Sequence, residues 1–142
     1  DAGHDLALFD LDGMKVCPLV CYDLRFPELF RAATRLGAEV FLVIANWPAA
    51  RQHHWTTLLA ARAIENQAWV LGVNRAGADP WLTYPGRSLL INPMGETVAD
   101  AGPAESILSA PVDRHAIDYW RTEFPVLKDM KPHLHPPIPK DP

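Results

Sequence analysis

Apolar residues recur along this chain at strand-like and helix-like spacings in turn, and the switches outline its elements. Residues 6–11 (Leu-Ala-Leu-Phe-Asp-Leu) predict a short strand. Asp12-Gly13 predicts a tight hairpin turn into a second strand over 14–21. Pro18 lies inside that strand and donates no ladder hydrogen bond, so it should mark an edge or a bulge. Pro27 and Glu28 suit a helix start, Leu29, Ala33 and Leu36 recur at helical spacing, and Gly37 is the expected stop. Residues 40–45 (Val-Phe-Leu-Val-Ile-Ala) are apolar on both faces and predict a fully buried central strand. A helix over 52–67 follows, with Trp55, Leu58, Leu59 and Ala63 on one face. Residues 68–73 predict another buried strand, 77–86 a loop and 87–92 a strand. A turn at Pro93-Met94-Gly95-Glu96 leads to strands over 97–99 and 106–112. Asp113 is a plausible N-cap for a helix through Trp120. From Pro125 onward, six of eighteen residues are Pro, which predicts an extended tail. Buried strands alternating with helices mean an α/β fold with helices on a mixed sheet.

Composition narrows the function classes. At 49% hydrophobic and 21% charged, the chain is rich enough in apolar residues to fold around a core. Its formal net charge of −4, without a basic stripe, argues against nucleic-acid binding. Apolar runs fall well short of the ~18 residues of a membrane span, and no leader pattern shows. The chain opens on Asp1 rather than Met, and the expectation is that an N-terminal part is missing. Cys17 and Cys21 on one strand would lie about 13 Å apart, too far for a disulfide. Their C-x3-C spacing is not a zinc spacing. Free thiols point to a reducing, cytoplasmic compartment. No metal site or cofactor motif is expected.

The chemistry concentrates at Cys21, where a strand ends and a helix is about to begin. Strand–turn–helix is the geometry of a nucleophile elbow, which lifts a side chain clear of the sheet and aims backbone N–H groups at a forming oxyanion. Most isolated cysteines are buried thiols, and that reading stays open on spacing alone. Cys17 lacks the elbow context and reads as a core thiol. None of the six His has a telling partner spacing, so no base is assigned.

The segment Leu19-Val20-Cys21-Tyr22-Asp23-Leu24-Arg25-Phe26-Pro27-Glu28 resembles the nucleophile motif of the nitrilase superfamily of carbon–nitrogen hydrolases. Phe9-Asp10-Leu11-Asp12-Gly13, Ala45-Asn46-Trp47-Pro48, His54-Trp55, Ala61-Arg62-Ala63-Ile64-Glu65-Asn66-Gln67 and Ile91-Asn92-Pro93-Met94-Gly95-Glu96 extend the likeness from about Leu6 to Pro125. The combination looks most like the bacterial omega-amidase branch, which hydrolyses the terminal amide of 2-oxo acids such as 2-oxoglutaramate. The resemblance implies the C-terminal half of an α-β-β-α sandwich. Residues 1–124 would be part of one hydrolase domain, and 125–142 a tail crossing to a partner in a homodimer or higher oligomer. It also implies a Glu–Lys–Cys triad. Residues 1–20 hold one Lys, Lys15, and no Glu. Lys15 lies too close along the same strand to be the family lysine, and Glu28 reads better as a helix-end or Arg-paired carboxylate than as a base.

By resemblance, Cys21 attacks an amide carbon and the Tyr22 backbone N–H holds the oxyanion. Arg25, four residues on, could clamp a substrate carboxylate or pair with Asp23 or Glu28. Asn46 and Trp47 end a buried strand beside the elbow and are candidate substrate contacts, Trp47 as an apolar wall or as core. Asn74 and Arg75 could reach the same rim, and Trp55, Trp69, Trp81 and Trp120 read as core or interface. Three functions stay open: an omega-amidase acting on a small-molecule amide, another superfamily hydrolase (a nitrilase or an N-carbamoyl amino acid hydrolase), and a non-catalytic half domain.

Overall fold

The computed structural model describes Gly3 and residues 5–131. Six strands form one mixed sheet in the order β1-β2-β3-β4-β7-β8. They are β1 (Phe9–Leu11), β2 (Met14–Val20), β3 (Val40–Ala45), β4 (Trp69–Asn74), β7 (Leu89–Ile91) and β8 (Thr97–Asp100), while β5 (Ala76–Ala78) and β6 (Thr83–Pro85) make a separate hairpin. Strands β2, β3 and β4 run parallel, and every other pairing is antiparallel. Helices α1 (Pro27–Arg35) and α2 (Gln52–Asn66) supply the crossovers between the parallel strands, and α3 (Arg114–Glu123) follows β8. The expected α/β class with a mixed sheet therefore holds.

Strand pleating sends alternate side chains to opposite faces. Cys17, Leu19, Phe41, Val43 and Val70 pack against Phe30 and Ala33 of α1 and Trp55, Leu59 and Ala63 of α2. Gly72 allows α2 to come this close. A Cβ there would stand 2.5 Å from Leu59 and 2.8 Å from Trp55. On the other face Val16, Val40, Trp69 and Leu90 bury against Ile117 of α3. Arg121 anchors that helix by donating to the carbonyls of Gln67, Ala38 and Asn66.

Several expectations change. The first strand is shorter than 6–11, and β2 stops at Val20, so Cys21 belongs to the turn that follows. Pro18 does sit at a local edge, because β1 pairs only with residues Met14, Lys15 and Val16. Strands β3 and β4 are not buried throughout. Val20, Ile44 and Val73 stand side by side in register and are about half exposed, because α3 covers only the far end of that face. The 77–86 loop is largely the β5–β6 hairpin. Its small residues carry no apolar alternation, and its turn is fixed by Asp79 Oδ1 accepting the Trp81 and Leu82 N–H groups. Residues 106–112 form no strand. Leu108, Ala110 and Val112 alternate because the chain lies extended over the sheet face, with their side chains turned into the second core. The tail begins with a 3-10 turn at Val126–Asp129 rather than extended chain, and 132–142 lie outside the described residues.

Candidate active site

Local sequence dictates the turn after β2. Cys21–Arg25 winds into a 3-10 helix, and Phe26, which precedes Pro27, is extended at φ −108° and ψ 94°. A residue before proline is pushed out of the helical region, so the 3-10 turn and α1 stay separate. Asp23 braces the turn: its Oδ2 accepts the Val20 N–H at 2.8 Å and its carbonyl accepts the Phe26 N–H at 3.0 Å. Cys21 itself adopts φ +44°, a left-handed conformation that costs a non-glycine residue energy and persists only where the surroundings enforce it. The expected strand–turn–helix order around Cys21 is thus present, with a 3-10 turn between the strand and the helix.

Cys21 opens into a cavity of about 490 Å³ at the carboxyl ends of the three parallel strands. Open α/β sheets place ligands at this end of their strands. Val20, Ile44, Ala45 and Val73 give the cavity an apolar wall, and Asn46, Asn74 and Arg75 give it polar groups. Among the described lining residues only Cys21 and Arg75 are titratable.

The remaining candidates divide. Asn46 lines the cavity. Trp47 does not: it is buried against Trp55, with ring centroids 5.6 Å apart, and donates Nε1–H to the Arg51 carbonyl at 2.7 Å. The apolar wall expected of Trp47 is supplied by the strand-end residues instead. Arg25 also stays outside the lining. Its guanidinium lies 4.6 Å over the Trp47 ring and donates toward His54 Nδ1 at 3.4 Å, so neither Asp23 nor Glu28 neutralises it. The Tyr22 side chain is exposed and packs edge-on against Phe26 at 5.3 Å, leaving only its backbone at the turn's start.

Asn74 is a clamp more than a rim residue. Its Oδ1 accepts the Trp47 N–H at 2.7 Å, and its Nδ2 donates to the Trp47 carbonyl at 3.2 Å and the Gly86 carbonyl at 2.9 Å. Arg75 lies 4.3 Å over the Tyr84 ring and pairs with Asp79 at 3.1 Å. The Trp81 N–H, the Tyr84 hydroxyl and the Leu82 N–H all donate to Asp79 and hold its carboxyl below the usual range. Trp81 stands at the hairpin tip, 85% exposed.

Lys15 and Glu28 take no part in the cavity lining. Lys15 is the second residue of β2, about 20 Å of strand from Cys21, and its Nζ donates to the Leu36 carbonyl at 3.4 Å. Glu28 is exposed on the first turn of α1. Among the described residues no three of His, Cys, Asp and Glu converge as metal ligands, and no helix is long and apolar enough to cross a membrane.

Residues 1–122 match the carbon-nitrogen hydrolase family. The chain belongs to that family. This carbon-nitrogen hydrolase chain is 42% identical over 134 residues to the 2-oxoglutaramate amidase of Bacillus subtilis (strain 168), covering 94% of this chain and 52% of that protein. It resembles XC1258 from Xanthomonas campestris, a superfamily protein solved with an arsenic adduct in its active site. The TM-score is 0.86 and the identity 36%, over 92% of this chain and 52% of that one. A mutant of the amidase from Nesterenkonia sp. AN1 carries the acetamide moiety of fluoroacetamide added covalently at its active-site cysteine. It matches with a TM-score of 0.77 and 28% identity, over 94% of this chain and 48% of that one. The hydrolase chain spans about half the length of the relatives it matches.

Its two cysteines differ in setting. Burial, reinforced by the negative charge of Asp23, pushes the Cys17 thiol up from its ordinary 9.0 to about 11. The folded state therefore holds this proton more tightly than the unfolded chain does. That contribution to stability is complete below 9.0 and is lost as pH rises through about 11. Denaturant melts at pH 8 and pH 10.5 should show the wild type losing stability at the higher value, with a smaller loss in Cys17→Ala.

Proposed function

We propose that the whole protein hydrolyses the terminal amide of a small 2-oxo acid, with Cys21 as nucleophile. The observation that carries this reading is Cys21 at φ +44° on a strand–turn junction, opening into the cavity at the strand ends. The named activity of the Bacillus subtilis relative supports the substrate class, and the covalent adduct of the Nesterenkonia amidase supports a cysteine nucleophile. In the proposed reaction the Cys21 sulfur bonds to the amide carbon, and the carbonyl oxygen becomes an oxyanion held by the Tyr22 N–H. The base takes the thiol proton and passes it to the nitrogen, the C–N bond breaks and ammonia departs. Water then cleaves the thioester, releasing the acid and restoring the thiol.

The base and the second oxyanion donor fall to the Glu and Lys that the family resemblance implies, neither of which is matched in residues 1–20. This chain alone should therefore be inactive. The half-exposed row Val20–Ile44–Val73 supports a further layer covering this face in the whole protein, and a chain lacking that layer should associate or precipitate. Asn46 on the cavity lining and Arg25, which lies outside that lining and has no carboxylate partner among the described residues, are the proposed substrate contacts. Trp47 serves them by supporting Arg25. A cytoplasmic homodimer, with 125–142 laid on the partner, completes the proposal.

A substrate panel on the longest product of the gene tests it. Hydrolysis of 2-oxoglutaramate should exceed that of simple nitriles and N-carbamoyl amino acids. Preference for either of those transfers the protein to another branch of the family. No turnover of any of them, with an intact fold, favours a non-catalytic domain.

A further inference from the structure

Leu24 lies in the nucleophile turn, and sequence denies its carbonyl a local partner. In a 3-10 helix each carbonyl accepts from the N–H three residues on. The Asp23 carbonyl finds the Phe26 N–H, but the next position in that series is Pro27, which has no N–H. The donors come from 38 residues away. Arg62 on α2 reaches across and gives the Leu24 carbonyl two hydrogen bonds, from Nη2 at 2.7 Å and Nε at 3.2 Å. Arg62 is 4% exposed, and its guanidinium lies 5.2 Å over the Phe30 ring and turns its third nitrogen to Glu65 at 2.9 Å.

A buried cation is costly unless its hydrogen bonds are met, so this arrangement is not a casual contact. The Leu24 side chain is itself fully buried, so the turn is held by side chain and carbonyl together. At the other end of the same five-residue turn sits Cys21, in a conformation its surroundings must impose. Asp23 braces the turn from within, and Arg62 braces it from the helix layer.

We propose that Arg62 is a positioning residue for the nucleophile, fixing the Cys21–Arg25 turn through the Leu24 carbonyl so that Cys21 keeps its attacking geometry. It touches neither substrate nor the reacting atoms. The inference rests on Cys21 being the nucleophile, and the test separates the two.

The variants are made in the whole protein and assayed with 2-oxoglutaramate. Arg62→Met keeps the aliphatic packing on Phe30 and removes the donors. Its kcat should fall about 100-fold with KM unchanged, the scale of loss that a displacement near 1 Å produces. Arg62→Lys keeps the charge but cannot offer two N–H groups in one plane, and should fall between Arg62→Met and wild type. Thr34→Val is the stability control. It removes the Thr34 hydroxyl, whose one proton serves either the Phe30 carbonyl within α1 or Asn66 Oδ1 on α2, and Thr34 lies outside the Cys21–Arg25 turn. It should melt earlier and keep its kcat. Iodoacetamide labelling of the fully buried Cys17 reports general loosening, and Cys17 should stay protected in both Arg62 variants.

Unchanged kcat in Arg62→Met, an equal kcat loss in Thr34→Val, or exposure of Cys17 in step with lost activity would each overturn the proposal. If Arg62→Met does not fold, Arg62→Lys decides: lower kcat with Cys17 protected supports the role, and full kcat removes it. Hydrolysis that survives Cys21→Ser ends the functional reading and this inference with it. Loss in Cys21→Ser without loss in Arg62→Met ends this inference alone.

Discussion

On the proposed function, replacing Cys21 with Ser should lower amide hydrolysis by the whole protein on the order of 10⁴-fold or more, because the serine hydroxyl has neither the nucleophilicity nor a base tuned to it. Cys17→Ala should leave turnover in place. Cys17 lies only four residues away in sequence, yet its side chain points between the sheet and the helices with no exposed surface. Its raised titration keeps it a neutral thiol at the pH of any ordinary assay. Cys21 instead leaves the sheet at a left-handed residue and faces the cavity. The same contrast governs modification. Iodoacetamide on the native protein should label the peptide holding Cys21 and spare Cys17 until the fold is melted. Steady-state kinetics on the two variants, with peptide mass mapping after labelling, checks both statements.

Trp55→Ala should cost the fold about 3–5 kcal/mol, a large part of the roughly 5–15 kcal/mol that holds a domain together. The ring is fully buried and fills the space between Trp47 and the bare backbone of Gly72. Its Nε1–H also donates to the Arg87 carbonyl at 2.8 Å, so truncation strips that carbonyl of its donor. The damage reaches the site by a short route. Trp47 leans on Trp55, Arg25 lies on Trp47, and the Asn74 amide ties the Trp47 backbone to Gly86. Trp55→Phe keeps most of the packing and loses the hydrogen bond, and should fall well short of the alanine cost. Equilibrium denaturation of the three proteins separates the two contributions.

Much of this arrangement is legible in the residues. The apolar runs at β3 and β4 and the helical spacings of α1 and α2 are strong local signals that burial reinforces. Cys21 stands out because Pro27 marks where the helix starts and thereby where the strand must end. Other features depend on distant partners. Leu108, Ala110 and Val112 alternate like a strand, and only the sheet beneath them shows that they lie across it. Ala76–Ala78 has no apolar signature at all, and becomes a strand because Asp79 locks the turn that follows. Trp47 and Asn46 are neighbours in sequence, yet one is buried under Arg25 and the other faces the cavity. Arg62 is visible in the sequence only as one member of the Ala61–Gln67 motif, and its target, the Leu24 carbonyl, is a backbone atom that no side-chain pattern encodes.

The most direct test of the central claim is to trap the intermediate. The whole protein is mixed with 2-oxoglutaramate, quenched in acid within the first turnovers and mapped by peptide mass spectrometry. An acyl adduct on the peptide containing Cys21, absent from Cys21→Ser, is the predicted result. Turnover that continues in Cys21→Ser, or an adduct on any other residue, would contradict the account.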